Sequence, residues 1–308
     1  MNKGGYDVVF ANPCPYTNIP ILVRFLQIPS VYYLHEPFGP ASERQFNRPY
    51  LKTNTKWREL SKRLDPFHVL YAGRLQSTRI ESVKQTTRLL ANSRYTQQHM
   101  EQHYGVDAPV CYYGVDIEGF SPIAGMEKEN CVLSIGELTP RKGFGFLIES
   151  LEHLPPDESP VLRLGCNWVD PDEKRYIEGV AARAKVELQI LTNLTTPQLT
   201  LEYNRALLCV YSPIAEPLGL VPLESMACGT PVVGVAEGGV RETVRHNETG
   251  LLTRRNAHSF AEAVKTLISD PARREQMAHQ GRLYVEKHWR WDRSVLELER
   301  HLANAAQS

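Results

Sequence analysis

Residues 216–234 read EPLGLVPLESMACGTPVVG, and the fold is decided here. Two carboxylates, Glu216 and Glu224, stand eight residues apart. Pro217 and Gly219 place the first in a loop, and the pattern from Val221 to Ala227 predicts a helix that carries the second. Cys228-Gly229 stops that helix, Thr230-Pro231 turns the chain, and Val232, Val233 and Val235 predict a buried strand. Gly219 permits a tight backbone, and the free N–H groups that open the helix suit an anion such as a phosphate. Glu224 is then placed to accept hydrogen bonds from hydroxyls of whatever carries the phosphate. Glu237-Gly238-Gly239 follows as a second glycine turn near the same edge of the sheet. Two glutamates alone more often mark a capped surface helix in an α/β domain, so the weight falls on their surroundings.

On both sides of this stretch strands and helices alternate, which predicts α/β architecture. Cys131–Ile135 predicts a buried strand that runs into Gly136-Glu137-Leu138-Thr139-Pro140-Arg141-Lys142-Gly143, with a helix from Phe144 to Leu151. A cationic pair in a strand-to-helix loop suits a diphosphate, because Arg and Lys neutralise charge while backbone N–H groups orient it. The same loop is otherwise an ordinary surface turn. Val161–Gly165, Leu188–Leu191 and Leu207–Tyr211 predict strands, and Glu173–Lys185 and Thr196–Ala206 predict helices. Asp170-Pro171-Asp172 imitates a metal-binding DxD motif, but it heads a helix, where an N-cap explains it. Asn247-Glu248-Thr249-Gly250 turns into a short strand at Leu251-Leu252. Ser259–Ile268 and Asp270–His288 are amphipathic, and Trp289–Leu302 predicts a last helix whose apolar face is Trp291, Val295, Leu296 and Leu298.

Nearer the start, Tyr6–Ala11 and Pro29–Leu34 predict strands, and Ile21–Leu26 a helix between them. The second strand ends at His35-Glu36-Pro37. Ligands of open α/β sheets bind beyond the carboxyl ends of strands, so His35 is placed to meet one, although a lone His is more often structural. Ala41–Leu90 is mainly helical with an interruption at Asp65-Pro66; a short strand over Leu89–Ser93 and a helix over Tyr95–Tyr104 follow.

With 308 residues, 42% hydrophobic and 23% charged, the chain suits two globular domains, each large enough for a core. No apolar run approaches a membrane span, and MNKGGYDVVF has no charged leader before a long apolar region, so neither a transmembrane helix nor a signal peptide is expected. Cys14, Cys111, Cys131, Cys166, Cys209 and Cys228 are scattered without metal-ligand spacing. They read as reduced core residues, and a cytoplasmic location is expected. Net charge is zero, yet Arg44–Arg94 is basic, with Lys52, Lys56, Arg58, Lys62, Arg63, Arg74, Arg79, Lys84 and Arg88 against Glu59, Asp65 and Glu81. Such a stretch faces an anionic substrate or membrane headgroups, or is a solvated helix face.

Taken in this order, the lysine loop, the E-x7-E spacing, GTPVVG, EGG and NETGLL resemble the retaining glycosyltransferases of family 4. Their GT-B fold places two Rossmann-like domains facing a cleft. The resemblance runs from about Tyr6 to Trp291 and is strongest from Cys131 to Leu252. LLANSRYT and YYGVDIEGFSP extend it, with Tyr113 where the family usually has Asn. It implies an acceptor-side domain over 1–122, a nucleotide-sugar-binding domain over 123–290, and a tail over 291–308 that crosses back to the first domain or packs within the second. It also implies transfer of a hexosyl group, with retention, from a UDP- or GDP-linked sugar to a glycan or lipid-linked acceptor in polysaccharide or glycolipid biosynthesis. Peripheral membrane contact fits such an acceptor; no nucleic acid, cofactor or metal is expected.

Residue by residue, the resemblance assigns catalytic roles to His35, Glu216 and Lys142. Lys142 matches the family's lysine on the donor pyrophosphate, with Arg141 beside it. Glu216 matches the glutamate by the donor sugar, Glu224 the one that binds the ribose, and His35 the histidine that contacts the transferred sugar. Backbone N–H groups around Gly219 and Leu220 add to the phosphate site. The sequence departs from the family pattern in two places. Glu137 stands where the family has Arg, so either Arg141 substitutes or donor binding is weaker. The family's leading βα unit has no counterpart before YDVVFA, so the first domain is expected to be incomplete, with some hydrophobic surface exposed; the chain is then a fragment, has a misassigned start, or is completed by a partner. An inactive nucleotide-sugar-binding protein is the alternative; an epimerase of the same fold would need a carboxylate array that the sequence does not offer.

Overall fold

The computed structural model describes residues 5–14, 19–35, 48–50 and 64–308. Glu36 and Pro37, and from the basic stretch Arg44, Lys52, Lys56, Arg58, Lys62 and Arg63, lie outside the described residues. The chain divides into two compact units, one of Met1–Tyr112 with Ser294–Ser308 and the other of Tyr113–Arg293.

The first unit is built on a three-stranded parallel sheet of β1 (Val9–Ala11), β2 (Ser30–Leu34) and β3 (Arg88–Ala91), in that order. All of β2 is buried. A central parallel strand has no solvent face, which is why SVYYL is a continuous run rather than an alternation. Helix α1 (Pro66–Gln85) starts where Asp65 accepts from the Phe67 N–H at 2.9 Å, with Pro66 at its first position. Helix α2 (Arg94–Tyr104) is capped by Ser93 and ends at Gly105 in the left-handed region. Tyr32, Leu34, Leu89, Met100 and Tyr104 form the core. Ile21–Phe25 is a 3-10 turn rather than an α-helix, and Leu22 and Phe25 on it are exposed, as are Phe67, Leu70 and Tyr71 of α1.

The second unit holds a six-stranded parallel sheet in the order β6-β5-β4-β7-β8-β9. Its strands are β4 (Glu129–Ile135), β5 (Val161–Cys166), β6 (Leu188–Thr192), β7 (Ala206–Tyr211), β8 (Val232–Val235) and β9 (Gly250–Thr253). The helices between them are α3 (Phe144–Leu151), α4 (Pro171–Ala184), α5 (Thr196–Arg205), α6 (Leu220–Ala227) and the short α7 (Val240–Thr243). Asp170 caps α4 by accepting from the N–H groups of Asp172 and Glu173, as the helix-cap reading of that Asp-Pro-Asp expects. Helices α8 (Ala257–Ser269), α9 (Pro271–His288) and α10 (Trp291–Ala306) complete the chain. Chain order steps outward from β4 through β5 to β6, then returns to β7 on the other side of β4. Such a reversal opens a crevice at the carboxyl ends of the two neighbouring strands, the ordinary ligand position in this architecture.

Two expectations need correction. A boundary after residue 122 separates Tyr113–Pro122 from the second unit, whereas these residues group with it. The Val115 N–H donates to the Trp289 carbonyl at 2.7 Å, and the Arg282 guanidinium donates to the carbonyls of Ile117 and Phe120. The apolar face expected on the last helix is also not a buried one: Trp291, Val295 and Leu296 are exposed, and Ala305 is its buried residue. Among the described residues no helix is long and apolar enough to cross a membrane. All six cysteines are free thiols. Burial pushes Cys131 up to about 11 and Cys166, Cys209 and Cys228 up to about 12, so these are poor nucleophiles.

Candidate functional site

The loops that leave β4 and β7 flank the strand-order reversal. After β4 the chain passes Gly136, where an added Cβ would stand 3.1 Å from the Lys142 side chain, so the missing side chain leaves room for the lysine. A 3-10 turn over Pro140–Lys142 ends at Gly143 (φ 73°), which opens α3. A Cβ on Gly143 would run into the Ser212 carbonyl, so only glycine allows this approach of the two loops. They are stitched together by the Ser212 hydroxyl donating to the Gly143 carbonyl (3.0 Å) and the Ile214 N–H donating to the Arg141 carbonyl (2.8 Å).

Across this seam Lys142 Nζ donates to Glu216 Oε2 at 3.1 Å. The two side chains are only 19% and 14% exposed, so the pair is largely shielded from solvent. Ala215, just before Glu216, is left-handed at φ 55°. After Glu216 the chain turns at Gly219 (φ 92°) into α6, whose N-terminus has no side-chain cap. The first amides of α6, at Leu220 and Val221, are therefore left for another acceptor. The second glycine turn closes on this loop. Gly239 N–H donates to the Glu216 carbonyl at 2.9 Å, and a Cβ at Gly238 or Gly239 would collide with the carbonyls of Glu216 or Pro217.

Glu224 lies on α6 behind this loop. The buried Tyr203 hydroxyl donates to Glu224 Oε2 at 2.8 Å, leaving the other carboxylate oxygen for a further donor. Burial raises the Glu224 carboxyl above its ordinary value, and the Tyr203 hydrogen bond opposes the rise. Tyr211, at the end of β7, is buried too; burial first, and then the Glu216 carboxylate, push its hydroxyl far up. Glu137, at the position where Arg was expected, is exposed. Arg141 is half-buried.

Lys142, Arg141, Glu216 and Gly219 thus belong to the loops after β4 and β7, and Leu220 and Glu224 to the helix α6 that follows, all in the second unit. His35 belongs to the first. It follows β2, where its Nε2 lies 2.9 Å from Asn12 Oδ1 and its carbonyl accepts from Asn92 Nδ2 at 2.7 Å. All three residues stand at the carboxyl edge of that unit's sheet.

Sequence reasoning missed Tyr203, Tyr211 and Arg255, and read Glu237 only as the head of a glycine turn. Arg255 follows β9 and donates from Nε and Nη2 to the two oxygens of Glu237 (3.0 and 2.8 Å). It also donates to the carbonyls of Ser212 (3.0 Å) and Pro213 (2.9 Å). Its one local signal is a basic residue at the carboxyl end of a sheet strand. Among the described residues no cluster of three or more His, Cys, Asp or Glu could hold a metal ion.

The family model of the glycosyl transferases group 1 matches residues 118–284, just over half of the chain. A D-inositol 3-phosphate glycosyltransferase of Geodermatophilus obscurus is 29% identical over 248 residues, which are 73% of this chain and 54% of the relative. The chain spans about half the length of the curated relatives it matches. Among solved structures, sucrose-phosphate synthase from Thermosynechococcus elongatus aligns with a TM-score of 0.79 at 21% identity, over 98% of this chain and 74% of that one. HepE of Anabaena, solved with UDP and glucose, aligns at 0.76 and 21% identity, over 97% and 78%. At such identities the likeness speaks to fold, and it is the GT-B α/β fold expected from the motifs.

Proposed function

This chain belongs to the group 1 glycosyl transferases, and from that premise we propose that it moves a hexosyl group from a nucleotide sugar to a glycan or lipid-linked acceptor with retention of configuration. The observation that carries this is the Lys142–Glu216 pair at the strand-order reversal, beside the uncapped start of α6 and with Glu224 behind it. The cation and the free amides match a diphosphate, Glu216 its sugar and Glu224 its ribose. UDP is the first nucleotide to try, since HepE was solved with it.

In the proposed step the bond between the sugar's anomeric carbon and the phosphate oxygen breaks, and that oxygen takes the electron pair. Lys142, Arg141 and the amides near Gly219 and Leu220 stabilise the charge forming there. Glu216 binds sugar hydroxyls, and Glu224 accepts from the ribose with the oxygen that Tyr203 leaves open. The acceptor hydroxyl attacks the same face and yields its proton to the departing phosphate. His35 is assigned the transferred sugar on the family resemblance. No metal is required, because the positive charge comes from the chain. The basic stretch after Arg44 favours a phosphorylated or lipid-linked acceptor, and with it peripheral contact at the cytoplasmic face of a membrane.

Glu137 favours a second reading, a nucleotide-sugar binder without turnover, because a carboxylate near the phosphate site opposes the charge that must form. Incubation of the chain with radiolabelled UDP-hexoses and phosphorylated or lipid-linked acceptors separates the two. Labelled product of retained configuration, lost in Lys142→Ala, supports transfer. Binding of donor with no product from any acceptor supports the second reading.

A further inference from the structure

We propose that Arg255 is a positioning residue for Glu216, fixing the loop that carries it; its consequence for ligand binding rests on the donor-site reading above. Arg255 lies outside every motif that the sequence singles out, yet its guanidinium meets both loops that define where Glu216 stands. Nε and Nη2 fork onto Glu237, at the head of the glycine turn whose Gly239 N–H holds the Glu216 carbonyl. Nη1 and Nη2 also hold the Ser212 and Pro213 carbonyls, which lead into Ala215 and Glu216. The guanidinium carbon lies 5.2 Å from the centre of the Phe146 ring on α3, so the plane of the fork is itself supported.

Ala215 gives this clamp its purpose. A left-handed alanine is disfavoured and persists only where its surroundings over-determine it. Here the restraints are the Ile214 N–H on the Arg141 carbonyl, the Gly239 N–H on the Glu216 carbonyl, and Arg255 on the two carbonyls upstream. Arg255 supports the second restraint as well, through Glu237. Four of its five N–H groups are engaged by the protein, which assigns it to act through Glu216 rather than on the sugar donor. A lysine cannot reproduce the role, because an ammonium is a point charge and cannot fork onto a carboxylate while holding two carbonyls.

The test uses the full chain and Arg255→Lys, with Glu237→Gln as the milder variant that keeps an acceptor. Amide hydrogen exchange is expected to speed up about tenfold or more at Ile214 and Gly239 in Arg255→Lys, and not in β4 or β5. Calorimetry with UDP and UDP-glucose is expected to show UDP affinity kept and the additional affinity conferred by the glucose reduced about tenfold. Glu237→Gln should fall between. Unchanged exchange at Ile214 and Gly239 would overturn the proposal, and so would loss of UDP and UDP-glucose affinity in equal proportion with protection lost across the sheet, which marks a merely structural residue. If the unsubstituted chain binds neither ligand, the donor-site reading fails, and the exchange result alone decides whether Arg255 holds the Glu216 loop.

Discussion

Lys142 Nζ lies 3.1 Å from Glu216 Oε2, so an ion pair ties the loop after β4 to the loop after β7 across the reversal in strand order. Removing the lysine leaves a mostly buried carboxylate without its cation and takes a donor from the proposed phosphate site. Lys142→Ala is expected to slow transfer roughly a hundredfold, about 3 kcal/mol in the transition state. Single-turnover rates with a UDP-hexose, beside urea unfolding to show that the fold is kept, check this. A full-rate variant would remove Lys142 from the mechanism.

Tyr203 and Glu224 form the second linked pair, at 2.8 Å. Tyr203→Phe keeps the ring and deletes the donor to a partly buried carboxylate, which should cost about 2 kcal/mol at neutral pH. With Gln at 224 the bond joins neutral partners, and the cost should drop to about 1 kcal/mol. A double-mutant cycle by urea unfolding reads the difference; additive losses would show that the two side chains are not coupled.

Burial raises the Glu224 carboxyl, and this sets the sign of a pH effect. A carboxyl whose folded pKa exceeds its unfolded value loses stability as pH rises from the unfolded value through the folded one, because over that window the native state holds a proton that the unfolded chain has released; above it the loss is complete. Glu224→Gln should therefore be more stable than the parent at pH 7. Its advantage should shrink as pH falls through the raised folded value towards the ordinary carboxylate range. Thermal melts across that range test it, and an advantage that grows on acidification would contradict it.

Gly239 packs where a side chain has no room, since its Cβ would meet the Pro217 carbonyl. Gly239→Ala must shift the turn and is expected to cost roughly 1–3 kcal/mol. Ala215→Gly contrasts with it. Relief of the left-handed alanine, about 1–2 kcal/mol, is partly offset by unfolded-state entropy of about 0.5–1 kcal/mol, so stability should hardly change while transfer slows as the Glu216 loop loosens. Melting curves and rates on both variants decide the matter.

The loop, helix, turn and strand from Glu216 to Gly234 are legible in the sequence because each follows from neighbours: Gly219 before the helix, Thr230-Pro231 at the turn, and a valine run in the strand. The Lys142 contact with Glu216 is not, as it joins residues 74 apart and depends on which strands become neighbours. Arg255 and Tyr203 are hidden for the same reason, one beyond the last strand and the other inside a helix. Glu137 is visible as a departure from a family pattern, but its exposure is a fact of the fold. The last helix shows the opposite failure. Trp291, Val295 and Leu296 recur at helical spacing, yet spacing only makes a face apolar and cannot say that anything covers it.

The second unit is expected to bind the nucleotide of a sugar donor, with Glu224 on the ribose. Calorimetric titration of the purified chain with UDP and GDP, repeated on Glu224→Ala, tests it most directly. Saturable binding of one nucleotide, weakened at least tenfold by the substitution, is the expected result. Binding to neither nucleotide by a folded, monodisperse sample, or equal affinity in Glu224→Ala, would contradict it.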